Sequence, residues 1–269
     1  MQKLIPAIGF GTYKHLGDTC VRSVSDALEI GYRHIDTAEM YGNEREVGKA
    51  IKASGVKRDD LWITTKVPAE ALGPGQVMPH AKASLEKLGV DKVDLLLIHW
   101  PSIGDQYVAE DYLAQLGEVQ AQGLATHIGV SNFTKKYIDI ALRVLGPEAI
   151  TTNQVECHVL MQNRPIVDYC KSKGIQVTAY CPLARGHLSE SAELVEIAKK
   201  HDAAVEQIGL AFLLAEGHVA IPSSTNRQRI QGNWDAQKIK LSGDEIGIIR
   251  KLDQQRRLVD GAWCPKWDV

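Results

Sequence analysis

The chain has 269 residues, 44% of them hydrophobic and 24% charged, with a formal net charge of −2. That is the balance of an ordinary globular protein, with room for one large barrel domain or two smaller ones. The near-neutral charge gives no reason to expect nucleic acid or an anionic membrane as a partner.

Short β-rich runs alternate with helical patterns from end to end, which predicts parallel βα units. Strands are expected at residues 7–10, 33–36, 61–66, 93–99, 126–131, 150–155, 175–180 and 219–221. Eight is the count for a closed barrel. Between them, a helix over 20–30 would bury Val21, Val24, Ala27 and Leu28 on one face, and one over 43–54 would bury Val47, Ala50 and Ile51. Gly31, Gly55, Gly89, Gly123 and Gly174 each stand between a helix and a strand, where a C′ glycine belongs. Two helices, 191–201 and 205–216, precede the last strand, and a short run at 226–233 and a helix at 244–252 follow it. The tail from 253 to 269 carries Trp263, Pro265 and Trp267, and would either pack for stability or cover a pocket. No linker breaks the series, so a single domain over 1–269 is expected.

The start, Met1 to Pro6, lacks the apolar core of a signal peptide, and no apolar run approaches the roughly 20 residues that span a bilayer. Cys20, Cys157, Cys170, Cys181 and Cys264 are scattered without a C-x-x-C pair, as expected of reduced thiols in a cytoplasmic protein.

Three ionisable residues close successive expected strands: Asp36, Lys66 and His99, with Tyr41 in the loop after Asp36. Singly, each has a plain reading: a capping acid, a solvated lysine, a core histidine, a packed loop aromatic. Together they would meet at the C-terminal mouth of a parallel barrel, where active sites are built. A phenol with a reference pKa of about 10 is a poor acid at neutral pH. A nearby ammonium is expected to lower that value, a carboxylate to keep the ammonium charged, and an imidazole to orient a carbonyl oxygen. The roles that follow are Tyr41 proton donor, Lys66 tuner, Asp36 lysine partner and His99 orienter.

Such a set needs a hydride source. The stretch Gly9 to Tyr13 lacks the third glycine of the dinucleotide fingerprint, so the cofactor would bind in another way. Ser131, Asn132, Gln154 and Tyr180 stand at later strand ends. Ser223, Ser224, Thr225, Arg227 and Arg229 precede or open a short helix whose N-terminus would suit phosphate, against the plain reading of a solvated basic helix start. No metal site is expected.

The stretch from Gly31 to Glu44, with Ile63 to Lys66, Val93 to Pro101 and Gly129 to Phe133, resembles the signature of the aldo-keto reductases, in order and over nearly the whole chain. The resemblance implies a (β/α)8 TIM barrel, with extra helices near the C-terminus and a short tail, and a tetrad of Asp36, Tyr41, Lys66 and His99. It implies NADPH along Gly11, Thr12, Tyr13 and Asp36, with Ser131, Asn132 and Gln154 on the carboxamide and Tyr180 stacked on the nicotinamide. Cys181 and Leu183 fall on the segment over the pyrophosphate, and Ser224, Thr225, Arg229 and Asn233 at the adenosine-phosphate end. Ser223 stands where many relatives carry a lysine, so NADH is admitted beside NADPH, with Arg227 and Arg229 able to compensate. Tyr13, Tyr41, His99, Trp100 and Trp263 are the substrate-side expectations. Val67-Pro68-Ala69 replaces a common aromatic, Val159 a common proline, and the short loops are similar to those of compact bacterial 2,5-diketo-D-gluconate and methylglyoxal reductases. The implied activity is reduction of small aldehydes or ketones, such as dicarbonyls and keto-sugars, by a monomer. Two alternatives stay open: a Schiff-base aldolase using Lys66, and a nicotinamide-sensing binding module on the same fold.

Overall fold

A computed structural model describes residues 5–268; Met1 to Leu4, most of the segment read above for a signal peptide, and the last tail residue Val269 lie outside the described residues. In chain order the elements are β1 (Phe10–Gly11), α1 (Gly17–Ile30), β2 (His34–Asp36), α2 (Glu44–Ala53), β3 (Trp62–Val67), α3 (Val77–Leu88), β4 (Val93–Ile98) and α4 (Ala109–Ala121). They continue with β5 (Ala125–Ser131), α5 (Lys135–Leu145), β6 (Ile150–Glu156), α6 (Arg164–Ser172), β7 (Gln176–Tyr180), α7 (Ala192–Lys200) and α8 (Val205–Ala215). β8 (Val219–Ala220), α9 (Arg227–Asp235) and α10 (Gly243–Arg250) complete the series.

The strands lie in sequence order and each pairs parallel with the next. The sheet closes where Gly9 N donates to Ala220 O (2.8 Å) and Ala220 N donates to Ala7 O (2.9 Å). The fold is therefore a (β/α)8 barrel. At this seam the sequence reading was off by a few residues: regular pairing with β2 begins at Phe10, and Ile8 contributes only an isolated bridge. Gly9 sits against the His34 ring, where a Cβ would lie 2.5 Å from Nδ1, so close approach decides that position. The expected C′ glycines hold: Gly31 N bonds back to Ala27 O, and Gly89 ends α3 in the left-handed region.

Strand alternation divides the residues between two packing environments. Ile35, Ile63, Val67, Leu96 and Ile98 join the large apolar cluster between sheet and helices. Trp62, Leu95 and Leu97 form a separate small cluster, as expected for side chains turned into the barrel. Trp62 stacks on His127 (ring centroids 5.1 Å apart), and His34 Nε2 meets Thr64 Oγ1 at 3.2 Å. Full burial of each large aliphatic side chain contributes about 1.5–3 kcal/mol. The same alternation places Asp36 two residues beyond His34, and Lys66 two beyond Thr64, higher up the same barrel wall.

The tail packs against the barrel, the first of the two expected alternatives. Glu156, the last residue of β6, accepts hydrogen bonds from Leu258 N (2.6 Å) and Val259 N (2.8 Å), and Asp268 Oδ2 accepts one from Lys135 N (2.9 Å). Those bonds hold the tail at the C-terminal end of the barrel, where Trp267 packs against Trp100 (centroids 6.2 Å) and under the Arg257 guanidinium (3.9 Å). Among the described residues, no helix is long and apolar enough to cross a membrane.

Candidate active site

Asp36 ends β2 and Lys66 stands one residue before the end of β3. Lys66 Nζ donates to Asp36 Oδ1 (2.6 Å) and to Thr37 O (2.7 Å). Both side chains are sealed, 0% and 2% exposed, so this is a buried ion pair rather than a surface one. The second carboxylate oxygen, Oδ2, accepts from Gln154 Nε2 of β6 at 2.7 Å.

Tyr41 comes from a single 3-10 turn, Glu39–Tyr41, ended by Gly42 in the left-handed conformation. Asn43 fixes that turn to its neighbours: it accepts from Thr37 Oγ1 (2.8 Å), and its Nδ2 donates to Thr12 O (2.8 Å) and His15 O (2.9 Å). From α3, His80 (2.7 Å) and Lys87 (3.0 Å) hold the Glu39 carboxylate. The Tyr41 ring then lies 5.6 Å from the His99 ring at a 73° interplanar angle, and 5.1 Å from the Tyr13 ring. Lys66 Nζ is 5.1 Å from its centroid. The four residues singled out in the sequence converge on one site.

The electrostatics correct one expectation. Tyr41 is pushed well above the usual phenol value, first by burial and then by the Asp36 charge. The net shift is therefore upward rather than the expected downward one, with the Lys66 ammonium, 5.1 Å from the ring, also bonded to Asp36 and Thr37 O. Burial also pulls the Lys66 ammonium down, with Asp36 opposing. His99 is held well below its ordinary value by burial and then by Lys66, so the imidazole is neutral. Its Nδ1 is sealed without a partner, which leaves Nε2 as the nitrogen able to meet a ligand. The arrangement is a phenol that keeps its proton, beside a neutral imidazole and a fixed positive charge.

A second network borders the first. Asn132, in the left-handed region, donates through Nδ2 to His99 O (3.0 Å) and Ser131 Oγ (3.0 Å), and accepts at Oδ1 from Tyr180 OH (2.8 Å). Ser131 Oγ donates to Gln154 O (2.8 Å). Beyond β7 the chain turns through Cys181, Ala184 and Arg185, all with positive φ, while Leu183 packs against the core. Such clustered backbone strain is common at ligand sites.

Across the seam, Gly11 N donates to Pro222 O (3.0 Å), and Thr12 Oγ1 donates to Asp36 O (3.0 Å). Ser224 Oγ accepts from Asn226 N (3.1 Å), and Asn226 Oδ1 caps α9 by accepting from Arg229 N (3.1 Å). Thr225 and Arg229 are exposed and Asn233 is buried. Arg227, expected to compensate for Ser223, is exposed and pairs with Asp26 and with Glu29 (2.8 Å) on α1. Hydroxyls and an exposed guanidinium at one end, and the half-buried Tyr180 ring at the other, fit an extended dinucleotide.

Of the tryptophans expected on the substrate side, Trp263 is 50% exposed, and it is Trp267 that meets Trp100. Sequence reasoning named Trp267 only as part of the tail, and gave no role to Asn43 or to the Glu39–His80–Lys87 cluster. Glu39 and Asn43 lie inside the recognised stretch, and that was the available signal. Lys66 is engaged by two acceptors, which argues against its attack on a carbonyl. Among the described residues, no group of three His, Cys, Asp or Glu is placed to hold a metal.

A parallel barrel with proton-handling groups gathered at its mouth defines a class of α/β-barrel enzymes. Within that class the chain belongs to the Aldo/keto reductase family, whose profile matches residues 7–254. It is similar to methylglyoxal reductase DkgB of Salmonella typhi, 43% identical over 265 residues, or 98% of this chain and 99% of that protein. MGS-M4, an aldo-keto reductase from a Medee basin deep-sea metagenome library, superposes with a TM-score of 0.92 at 35% identity over 96% of this chain and 95% of that one. A structure provisionally described as a 2,5-diketo-D-gluconic acid reductase B gives 0.93 at 33% identity over 98% and 94%. Membership in this family makes the protein an oxidoreductase of carbonyl compounds.

Proposed function

We propose that this protein reduces small aldehydes or ketones, with dicarbonyls and keto-sugars as the substrate class, using NADPH and Tyr41 as proton donor. The observation that carries the reading is the Tyr41 ring set between His99 and the buried Lys66–Asp36 pair. Similarity to a methylglyoxal reductase over nearly the full length supports the substrate class.

The cofactor, when bound, supplies hydride to the carbonyl carbon. Tyr180 would lie against its nicotinamide, Ser131, Asn132 and Gln154 would hold the carboxamide, and Cys181 and Leu183 would border the pyrophosphate. Gly11, Thr12 and Tyr13 would flank it at the mouth, and Ser224, Thr225, Arg229 and Asn233 would hold the adenosine end. Negative charge develops on the carbonyl oxygen during reduction. His99 Nε2 carries a proton in the neutral tautomer and donates a hydrogen bond to that oxygen. Tyr41 gives up its proton to the same oxygen, and Lys66 stabilises the phenolate left behind. Asp36 and Gln154 keep the ammonium in place. Tyr13, Trp100 and Trp263 would line the substrate side. We further propose a monomer forming one domain, and place it in the cytoplasm, where the five free cysteines suit a reducing compartment.

The test is the steady-state rate of NADPH oxidation on a panel of dicarbonyls, keto-sugars and aromatic aldehydes. Turnover ranked toward small polar carbonyls would support the reading. NADPH binding without turnover on any of them would overturn it in favour of a binding module.

A further inference from the structure

His15 is buried on the loop after β1 and touches two hydroxyls, Ser23 Oγ of α1 at Nδ1 (2.9 Å) and Ser223 Oγ at Nε2 (2.9 Å). The protons along these three residues follow from the acceptors together with a neutral ring. Ser23 Oγ lies 3.1 Å from Cys20 O, which can only accept, so the Ser23 proton points there. Ser23 can then only accept from His15, which places the imidazole proton on Nδ1. Burial holds His15 below its ordinary value, so the ring is neutral and Nε2 is bare. A bare Nε2 accepts, and the Ser223 hydroxyl donates to it.

Ser223 is exposed at the C-terminal end of β8, beside Gly11, whose Cβ position would lie 3.7 Å from Ser223 Cβ. With its proton turned inward, its oxygen offers outward only lone pairs. Such an oxygen accepts from a hydroxyl but is repelled by a phosphate. Arg227 pairs with Asp26 and Glu29, and Arg229 is the exposed guanidinium that opens α9 beside them.

We propose that the Ser23–His15–Ser223 relay is a specificity determinant of the dinucleotide site, favouring a ribose 2′-hydroxyl over a 2′-phosphate and so narrowing discrimination against NADH. This rests on the reading that the adenosine end lies along the loop between β8 and α9. Turning the Ser223 proton outward requires the imidazole proton to move from Nδ1 to Nε2 and Ser23 to release Cys20 O. One hydrogen bond is lost, equivalent to about two- to tenfold in affinity.

The test is fluorescence titration of NADPH and NADH into wild type and Ser23→Ala, with nitrogen NMR of the His15 ring in the wild type. Ser23 lies behind His15 and would touch neither dinucleotide. Its removal frees the tautomer, so the NADPH-to-NADH affinity ratio is expected to rise by about two- to tenfold. The NMR signals are expected to place the proton on Nδ1. A ratio unmoved by the substitution, or a wild-type proton on Nε2, would overturn the inference while leaving the reductase reading intact. Binding of neither dinucleotide would overturn that reading, and this inference with it.

Discussion

Gln154 Nε2 donates a 2.7 Å hydrogen bond to Asp36 Oδ2, the carboxylate oxygen that Lys66 does not engage. The bond crosses the barrel from β6 to β2, so one buried acid is held from two sides and its position no longer depends on the lysine alone. Removing Lys66 still leaves a buried carboxylate without a counter-charge, and breaking one side of such a pair costs about 3–5 kcal/mol. Lys66→Met should therefore lower Tm by on the order of 10 °C, as read by calorimetry. The double change Lys66→Met with Asp36→Leu should cost less than the sum of the single changes. Strict additivity would show that the pair is not coupled.

Acid should weaken the fold before the carboxylates titrate. His34 and His218 are both depressed by burial, from 6.5 to about 4. Between those values the unfolded chain binds protons that the folded chain refuses, so stability is fully present above about 6.5 and falls as pH drops toward 4. Each contributes of order 3 kcal/mol or less. Glu156 and Glu216, held below their ordinary 4.5, add loss of the same sign only at lower pH. Thermal melts from pH 7 to 5 should show a falling Tm, with a shallower slope in His218→Gln. A flat profile would contradict this assignment.

Glu156 is the anchor of the tail. Its carboxylate accepts two backbone N–H groups, and His158 Nε2 lies 3.0 Å from Oε1. Hydrogen bonds to a charged group contribute about 1.5–3 kcal/mol each. Glu156→Gln should speed hydrogen exchange at Leu258 and Val259 by about tenfold or more, with the strands of the barrel unchanged. Unaltered protection at those two amides would mean that Trp267 and Asp268 hold the tail without it.

The regular parts of the molecule were legible from sequence because a parallel barrel buries both faces of its strands, so that one such as β3 reads as a short β-rich run, and burial imposes a 3.6-residue period on the helices. β1 and β8 were harder, since each keeps two regularly paired residues at the seam and too few side chains to show a period. The tetrad was legible as strand-end chemistry. The upward shift of Tyr41 was not, because it depends on burial and on the distances among Tyr41, Asp36 and Lys66, which spacing does not encode. The same limit hid the pairing of Arg227 with α1, about 200 residues earlier, and the contact of Trp267 rather than Trp263 with Trp100.

The proton-donor role of Tyr41 is tested most directly by single-turnover consumption of bound NADPH with a small dicarbonyl, in wild type and Tyr41→Phe at matched dinucleotide occupancy. The expected result is a rate lower by about 10²–10⁴-fold in the variant, the usual contribution of a positioned acid, with dinucleotide affinity unchanged. A variant that consumes NADPH at the wild-type rate would contradict the assignment and leave the proton to come from another group.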